Sequence, residues 1–212
     1  MKEPKGIYSI KSVLFDSSLS KVQNLIMMQG AFALEATIAR IDYLNKICGP
    51  KNGNNIFTDR NIPYLLQDLC AQAGIASQVL FNGQAKKGFK ESEIAFELRL
   101  ERYNYVKNLC EIHSFEPEVL NDRRVRNSLT HIDEKMADLL TKESDVAWFV
   151  DHAASIRNSF QMPAEIKSVK FCRTYIHNES KILHLDNELD LDKLRKECLK
   201  TLTVVFNAKS IH

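Results

Sequence analysis

Between Asp122 and Glu134 the chain reads Asp122-Arg123-Arg124-Val125-Arg126-Asn127-Ser128-Leu129-Thr130-His131-Ile132-Asp133-Glu134. Three arginines, an amide, two hydroxyls and a histidine fall within about three and a half helical turns. A histidine titrating near neutrality takes or gives a proton at physiological pH. An arginine stays charged and presents a planar fork to two phosphate oxygens. Chemistry at a phosphate draws on both. On a helical wheel Asn127 and His131 lie ~40° apart, whereas Arg126 lies ~140° from His131. One helix therefore cannot easily aim Arg126 and His131 at the same phosphate. Two copies related by a two-fold axis could aim the arginine of one and the histidine of the other into one cleft.

The segment must be carried by a helix, and the spacing predicts one from 121 or 122 to about 140. Its apolar stripe is Val125, Leu129, Ile132, Met136 and Leu140, with the polar residues off that face. Three helices precede it. The first pattern runs over 16–48, with Ser17, Ser18 and Ser20 as start signals and Gly49-Pro50 as a stop. Its middle is apolar on nearly every side, which asks for burial on more than one face and points to a second subunit. A Gly/Asn-rich loop over 49–63 leads to a helix over 64 to about 81, then to the basic loop around Lys86 and Lys87. The third helix covers roughly 92–112. After the motif helix, Val146-Ala147-Trp148-Phe149-Val150 reads as a fifth short helix or an apolar strap. Residues 169–176 and 181–186 read as two strands around the four-residue turn His177-Asn178-Glu179-Ser180. A last helix runs from 190 or 192 to 206.

With 212 residues, 44% hydrophobic and 26% charged, the chain has the size and composition of one globular domain. Only 7 Gly and 5 Pro favour long helices. The expected architecture is all-α: a helical bundle over about 16–160 with a C-terminal β-hairpin and closing helix over about 165–208, as a single domain. A net charge of +2 excludes bulk electrostatic capture of long nucleic acid, so any such role rests on a local basic site. The five cysteines are odd in number and widely spaced, which predicts buried thiols in a reducing compartment rather than a disulfide framework. No apolar run suggests a signal peptide or membrane span, so a cytoplasmic protein is expected.

Arg126-Asn127-Ser128-Leu129-Thr130-His131 resembles the R-x(4–6)-H motif of the HEPN superfamily, including the polar residue directly after the arginine. The likeness extends to a long first helix and a motif near the start of a late helix. HEPN proteins are all-α and commonly dimeric. Many are metal-independent endoribonucleases of toxin–antitoxin, abortive-infection and CRISPR-linked systems. The resemblance implies a composite homodimer site in which Arg126 binds phosphate, His131 transfers protons and Asn127 orients His131 or donates to a phosphate oxygen. Arg124, with six residues between it and His131, also fits the spacing and is kept as a supporting phosphate contact. Arg123, Ser128, Thr130, Lys86 and Lys87 complete the expected RNA contacts. No metal or cofactor is expected, because RNA supplies its own nucleophile in the 2′-hydroxyl. The partners implied are RNA, a second copy, and an antitoxin or regulatory protein, with no membrane.

The plainer readings stand beside these. The arginines can be a solvated face paired with Asp122, Asp133 and Glu134. The fold can be a HEPN-like dimer that binds RNA or a partner protein without cutting, or a helical scaffold whose motif is coincidental. His177 and His184 lack ligand-spaced neighbours for zinc, and Arg157-Asn158 repeats the motif's first two residues with no histidine following. No P-loop, dinucleotide-binding, zincin or nucleophile-elbow motif occurs.

Overall fold

A computed structural model describes residues 19–49, 55–122, 146–160, 166, 168–185 and 187–207. Among the described residues, four α-helices form where capping residues and apolar spacing agree. Helix α1 (Lys21–Ile47) starts at Ser20, whose hydroxyl accepts the Gln23 N–H at 3.1 Å. Helix α2 (Ile62–Leu80) carries Pro63 in its first turn, where the missing N–H costs nothing. Helix α3 (Glu93–Ile112) is capped by Ser92, which accepts from Ala95 N. Helix α4 (Leu191–Phe206) is capped by Asp190 and ends at Asn207 in the left-handed region. Helices α1 and α2 lie close: a Cβ on Gly30 would sit 2.8 Å from the Leu80 side chain. Among the described residues, no helix is long and apolar enough to cross a membrane.

The chain is not all-α, which corrects the sequence-based expectation. A five-stranded mixed sheet runs in the order β1 (Ile56–Phe57), β3 (Ala153–Ala154), β5 (Thr174–Ile176), β6 (Lys181–His184), β7 (Asn187–Asp190). A second sheet pairs β2 (Val146–Val150) in parallel with β4 (Ser168–Cys172), Val146 opposite Ser168 and Val150 opposite Cys172. The stretch expected to form a short helix or strap is thus a strand. Its five residues are β-branched, aromatic or small, and they find a matching ladder in β4. The hairpin holds as expected, with Tyr175 opposite Ile182 and Ser180 in the left-handed region closing its turn. What the sequence did not reveal is that this hairpin gains neighbours on both sides.

The two sheets are separated by a pair of matching kinks. Asp151 follows β2 at φ 56°, and Arg173 follows β4 at φ 49°. Non-glycine residues are held there only when their surroundings insist. Here the two side chains meet in a shielded ion pair, Arg173 Nε to Asp151 Oδ1 at 2.7 Å and Nη2 to Oδ2 at 2.9 Å. Gln67 of α2 donates to the same carboxylate at 3.0 Å. A run legible as one strand over 169–176 is therefore two, one in each sheet.

Strand alternation divides the interior. Tyr175 and Ile182 join the main core with α1, α2 and α4, while Ile176 and Leu183 face a smaller cluster with Ala154 and Phe160. Phe149, Phe160 and Phe171 pack there, with Phe149 and Phe160 ring centroids 4.1 Å apart. Tyr175 is fully buried and its hydroxyl donates to Asn45 Oδ1 of α1 at 2.6 Å, tying sheet to helix. All five cysteines are buried and none forms a disulfide. Burial pushes the Cys70 thiol up to about 12 and Cys110 to about 11, as expected for structural thiols.

Glu35 of α1 breaks the pattern. Its Oε1 is buried with no hydrogen-bond partner, and desolvation pushes its carboxyl up to about 7. The raised value means the folded protein holds a proton that the unfolded chain releases from about pH 4.5 upward. Stability therefore falls as pH rises from about 4.5 to about 7 and stays lower above that. Glu35→Gln is expected to raise the thermal midpoint at pH 8 and to change it little at pH 4.5, measured by thermal unfolding at both values.

Candidate functional site

The motif residues Arg123, Arg124, Arg126, Asn127, Ser128, Thr130 and His131 lie outside the described residues. The predicted helix over 121 or 122 to about 140 shares that position from residue 123 onward. What the fold provides is the frame at the two ends of that stretch, and this frame is built with care.

On the leading side, the chain leaves α3 and runs past Glu118, Val119 and Leu120 toward Asp122. The buried carboxylate of Glu197, on α4, collects the backbone N–H groups of this run. Oε1 accepts from Glu118 at 2.9 Å and Val119 at 3.0 Å, and Oε2 accepts from Val119 at 3.0 Å and Leu120 at 2.9 Å. Of these donors the Leu120 N–H is buried and would otherwise be unpaired. The Ser77 hydroxyl of α2 donates to the Leu120 carbonyl, and the Leu120 side chain is buried in the core. Asp122 N–H closes onto Val119 O at 3.2 Å. The backbone two residues before Arg124 is thus fixed by contacts from α2 and α4. On the far side, Val146 opens β2 and is held by its ladder with β4.

The other expected contacts, Lys86 and Lys87, lie on a loop that is shaped rather than loose. The Arg99 side chain, on α3, is 9% exposed and reaches back under it. Its guanidinium donates to the carbonyls of Asn82 at 3.0 Å, Gln84 at 2.9 Å and Lys86 at 3.5 Å. It also forks onto Glu91, Nε to Oε1 at 2.8 Å and Nη2 to Oε2 at 3.1 Å. The Arg99 hydrogen bonds, with the Gly88 N–H, hold the Glu91 carboxyl down at about 2. Gly83 lies against the Tyr103 ring, where an added Cβ would sit 2.4 Å from ring carbons, so a larger residue requires that ring to move. Lys86 and Lys87 are both exposed, and Lys87 pairs with Glu93. That pair offsets part of the positive charge the loop shows in sequence.

The depressed Glu91 value sets the sign of its pH response. The clamp is fully present above the unfolded carboxyl value near 4.5 and is lost as pH falls toward about 2. Arg99→Ala leaves three carbonyls and a carboxylate without their shared donor. Tryptic cleavage after Lys86 or Lys87 is then expected to speed up by at least roughly tenfold under native conditions, because local opening governs such cuts.

Phe81, just before the loop, and Asn121, just before Asp122, line one cleft of about 430 Å³ together with Tyr103, Lys107, Glu111 and Phe115. A second cleft of about 330 Å³ borders Asp122 on the other side and is lined by Glu118, Lys181, Glu188, Asp190 and Lys193. Its cations are matched by carboxylates, Lys181 with Glu188 and Lys193 with Glu118. Lys107 in the first cleft is likewise paired, with Glu111, and the lining of neither cleft includes Lys86 or Lys87.

The remaining candidates take structural places. Arg157 is locked between Glu179 and Glu188, both within 2.6 Å, which pushes its guanidinium value further up. His184 is buried with Nδ1 3.6 Å from Cys172 Sγ, and His177 packs edge-on against Tyr175 and Phe57. Among the described residues, no three His, Cys, Asp or Glu side chains converge as a metal site. Arg99, which braces the Lys86 and Lys87 loop, and Glu197, which holds the run leading to Asp122, carry no signal in the sequence. Both sit on helices whose other residues fit ordinary amphipathic spacing, and their partners are backbone groups with no sequence signature. No family model, curated protein or solved structure matches this chain.

Proposed function

We propose that the protein is an endoribonuclease of toxin or anti-phage defence type, related to the HEPN superfamily, that works as a homodimer with a composite site. The observation that carries this reading is Arg126-Asn127-x-x-x-His131, a phosphate fork and a neutral-range proton carrier at the spacing of that superfamily's motif. The likeness concerns the helices and the motif; the mixed sheet lies outside it. The Glu197 clamp supports the reading, because a residue pair that must meet its counterpart across a dimer needs its backbone aimed.

The residues suffice for phosphoryl transfer within RNA. His131 of one protomer withdraws the 2′-hydroxyl proton as that oxygen attacks the adjacent phosphorus. Arg126 of the other holds the phosphorane oxygens and their developing charge. The bond from phosphorus to the 5′-oxygen breaks, and that oxygen takes up a proton, leaving a 2′,3′-cyclic phosphate and a 5′-hydroxyl. Asn127 positions His131 or a phosphate oxygen. Lys86 and Lys87, on their braced loop, receive the flanking backbone. The localisation that suits this chemistry is the cytoplasm, with an antitoxin or other regulator as partner.

The test is scission of labelled RNA in EDTA, beside an all-deoxy strand of the same sequence. Cleavage of the RNA alone, with cyclic-phosphate ends, is the expected result. Uncut RNA that is nevertheless bound, with binding lost in Arg126→Ala, would replace this reading with a non-catalytic RNA-binding dimer.

A further inference from the structure

Helix α1 is buried on one side and apolar on the other. Its inner face, around Met27, Leu34 and Ile41, is in the core. Opposite lie Val22, Leu25 and Phe32, each 53% exposed, and Tyr43 at 44%. Gln29, Ala36 and Ala39 fill the gaps between them, the first and last exposed and Ala36 half-buried. These positions advance by three and four residues in strict alternation, the 3.5-residue period of a helix that packs along another helix. Six of the seven positions carry Val, Leu, Phe, Ala or Tyr, and Gln29 is the one amide among them.

We infer that this seam packs against the same seam of a second copy, with the two α1 helices antiparallel. The inference deepens the homodimer reading above and supplies the surface it needs. Bulk decides the direction. Val22, Leu25 and Phe32 crowd the N-terminal half of the seam, and Ala36 and Ala39 lie in the C-terminal half. Parallel helices would stack the two Phe32 rings and leave facing alanine layers open. Antiparallel helices set Val22 against the partner's Ala39, Leu25 against the partner's Ala36 and Phe32 against the partner's Gln29, so each of these three side chains meets a smaller one, with Tyr43 beyond them at the end of the seam. The same register brings Lys21 beside the partner's Asp42, whose carboxylate already accepts from Arg195 at 2.7 and 3.1 Å and is 46% exposed. Two such charge pairs close the ends of the seam. The half-exposed side chains offer on the order of 500 Å² per protomer, about 1,000 Å² for the pair, the size of a small and weakly held interface.

Light scattering during size exclusion tests the partner, and cysteine cross-linking tests the direction. Wild type is expected to elute at twice the single-chain mass at tens of micromolar. Leu25→Glu and Phe32→Glu are expected to give monomers with unchanged far-UV circular dichroism, since both side chains already face outward. The double variant Leu25→Cys/Ala36→Cys is expected to form a disulfide-linked dimer on mild oxidation, whereas Val22→Cys alone is not, the native thiols being buried. A monomeric wild type, the outcome if residues 1–18 or another protein occupy this face, overturns the inference. So does a dimer indifferent to both glutamates, or cross-linking by Val22→Cys but not by the pair. A seam-dependent dimer that never cuts RNA keeps this inference and removes the ribonuclease; RNA scission by a dimer indifferent to Phe32→Glu does the reverse.

Discussion

His131→Ala is expected to lower RNA scission by about a thousandfold, within the 10²–10⁴ range for loss of a positioned proton carrier. The thermal midpoint should barely move, because His131 lies off the apolar stripe that the sequence predicts for its helix. Two further substitutions make the result specific. Arg126→Lys keeps the positive charge and removes the fork, so scission should fall by roughly 10- to 100-fold while RNA binding at low salt is nearly kept. A heterodimer of His131→Ala with Arg126→Ala restores one intact composite site of two if the residues act across protomers. Its expected rate is about half that of wild type, whereas each homodimer is inactive. Single-turnover cleavage by the His131→Ala and Arg126→Ala homodimers, Arg126→Lys and the heterodimer checks all of this, and full activity of His131→Ala would remove the histidine from the chemistry.

The second large effect is expected at Glu197, far from the motif in sequence. Glu197→Ala removes the acceptor of the buried Leu120 N–H and of the partly buried Val119 N–H, while the N–H of the exposed Glu118 can turn to water. Unsatisfied buried donors cost about 1–3 kcal/mol each when nothing rearranges. With one such donor buried and one partly buried, a loss of about 2–3 kcal/mol is expected, read from urea unfolding midpoints. Glu197→Gln keeps an acceptor oxygen of the same reach, so it should lose less than half as much. Because the clamped run leads directly into Asp122, both variants should also slow scission at temperatures where the protein remains folded, alanine more than glutamine. A destabilised Glu197→Ala protein that cuts RNA at the wild-type rate would separate the clamp from the site.

Much of the helical frame was readable in advance. The expected helices over 64–81, 92–112 and 190–206 match α2, α3 and α4 to within about two residues, because caps such as Ser92 and Asp190 and apolar spacing act locally. The hairpin was legible for the same reason: strands and turn are adjacent in sequence. The all-α reading failed where pairing is remote. Strands β1 and β3 have two residues each and exist only because Ile56 meets Ala154 and Phe57 meets Ala153. Strand β2 carries no alternation that separates it from a buried helix, and its ladder partner β4 begins at Ser168, more than twenty residues from Val146.

The chemistry-bearing residues belong to the same division. Residue types and a local period determined by themselves the motif from Arg126 to His131, the capped helices and the apolar first helix, since each signal lies within a few turns of one element. Only the tertiary structure decided which face of α1 stays open, that Arg99 braces the Lys86 and Lys87 loop, that Asp151 and Arg173 kink two strands in step, and that Glu197 holds the run leading to Asp122. Each of these joins side chains to groups distant in the chain, most of them backbone N–H and C=O groups. Every residue type carries such groups, so no pattern of letters marks where a buried charge will find them.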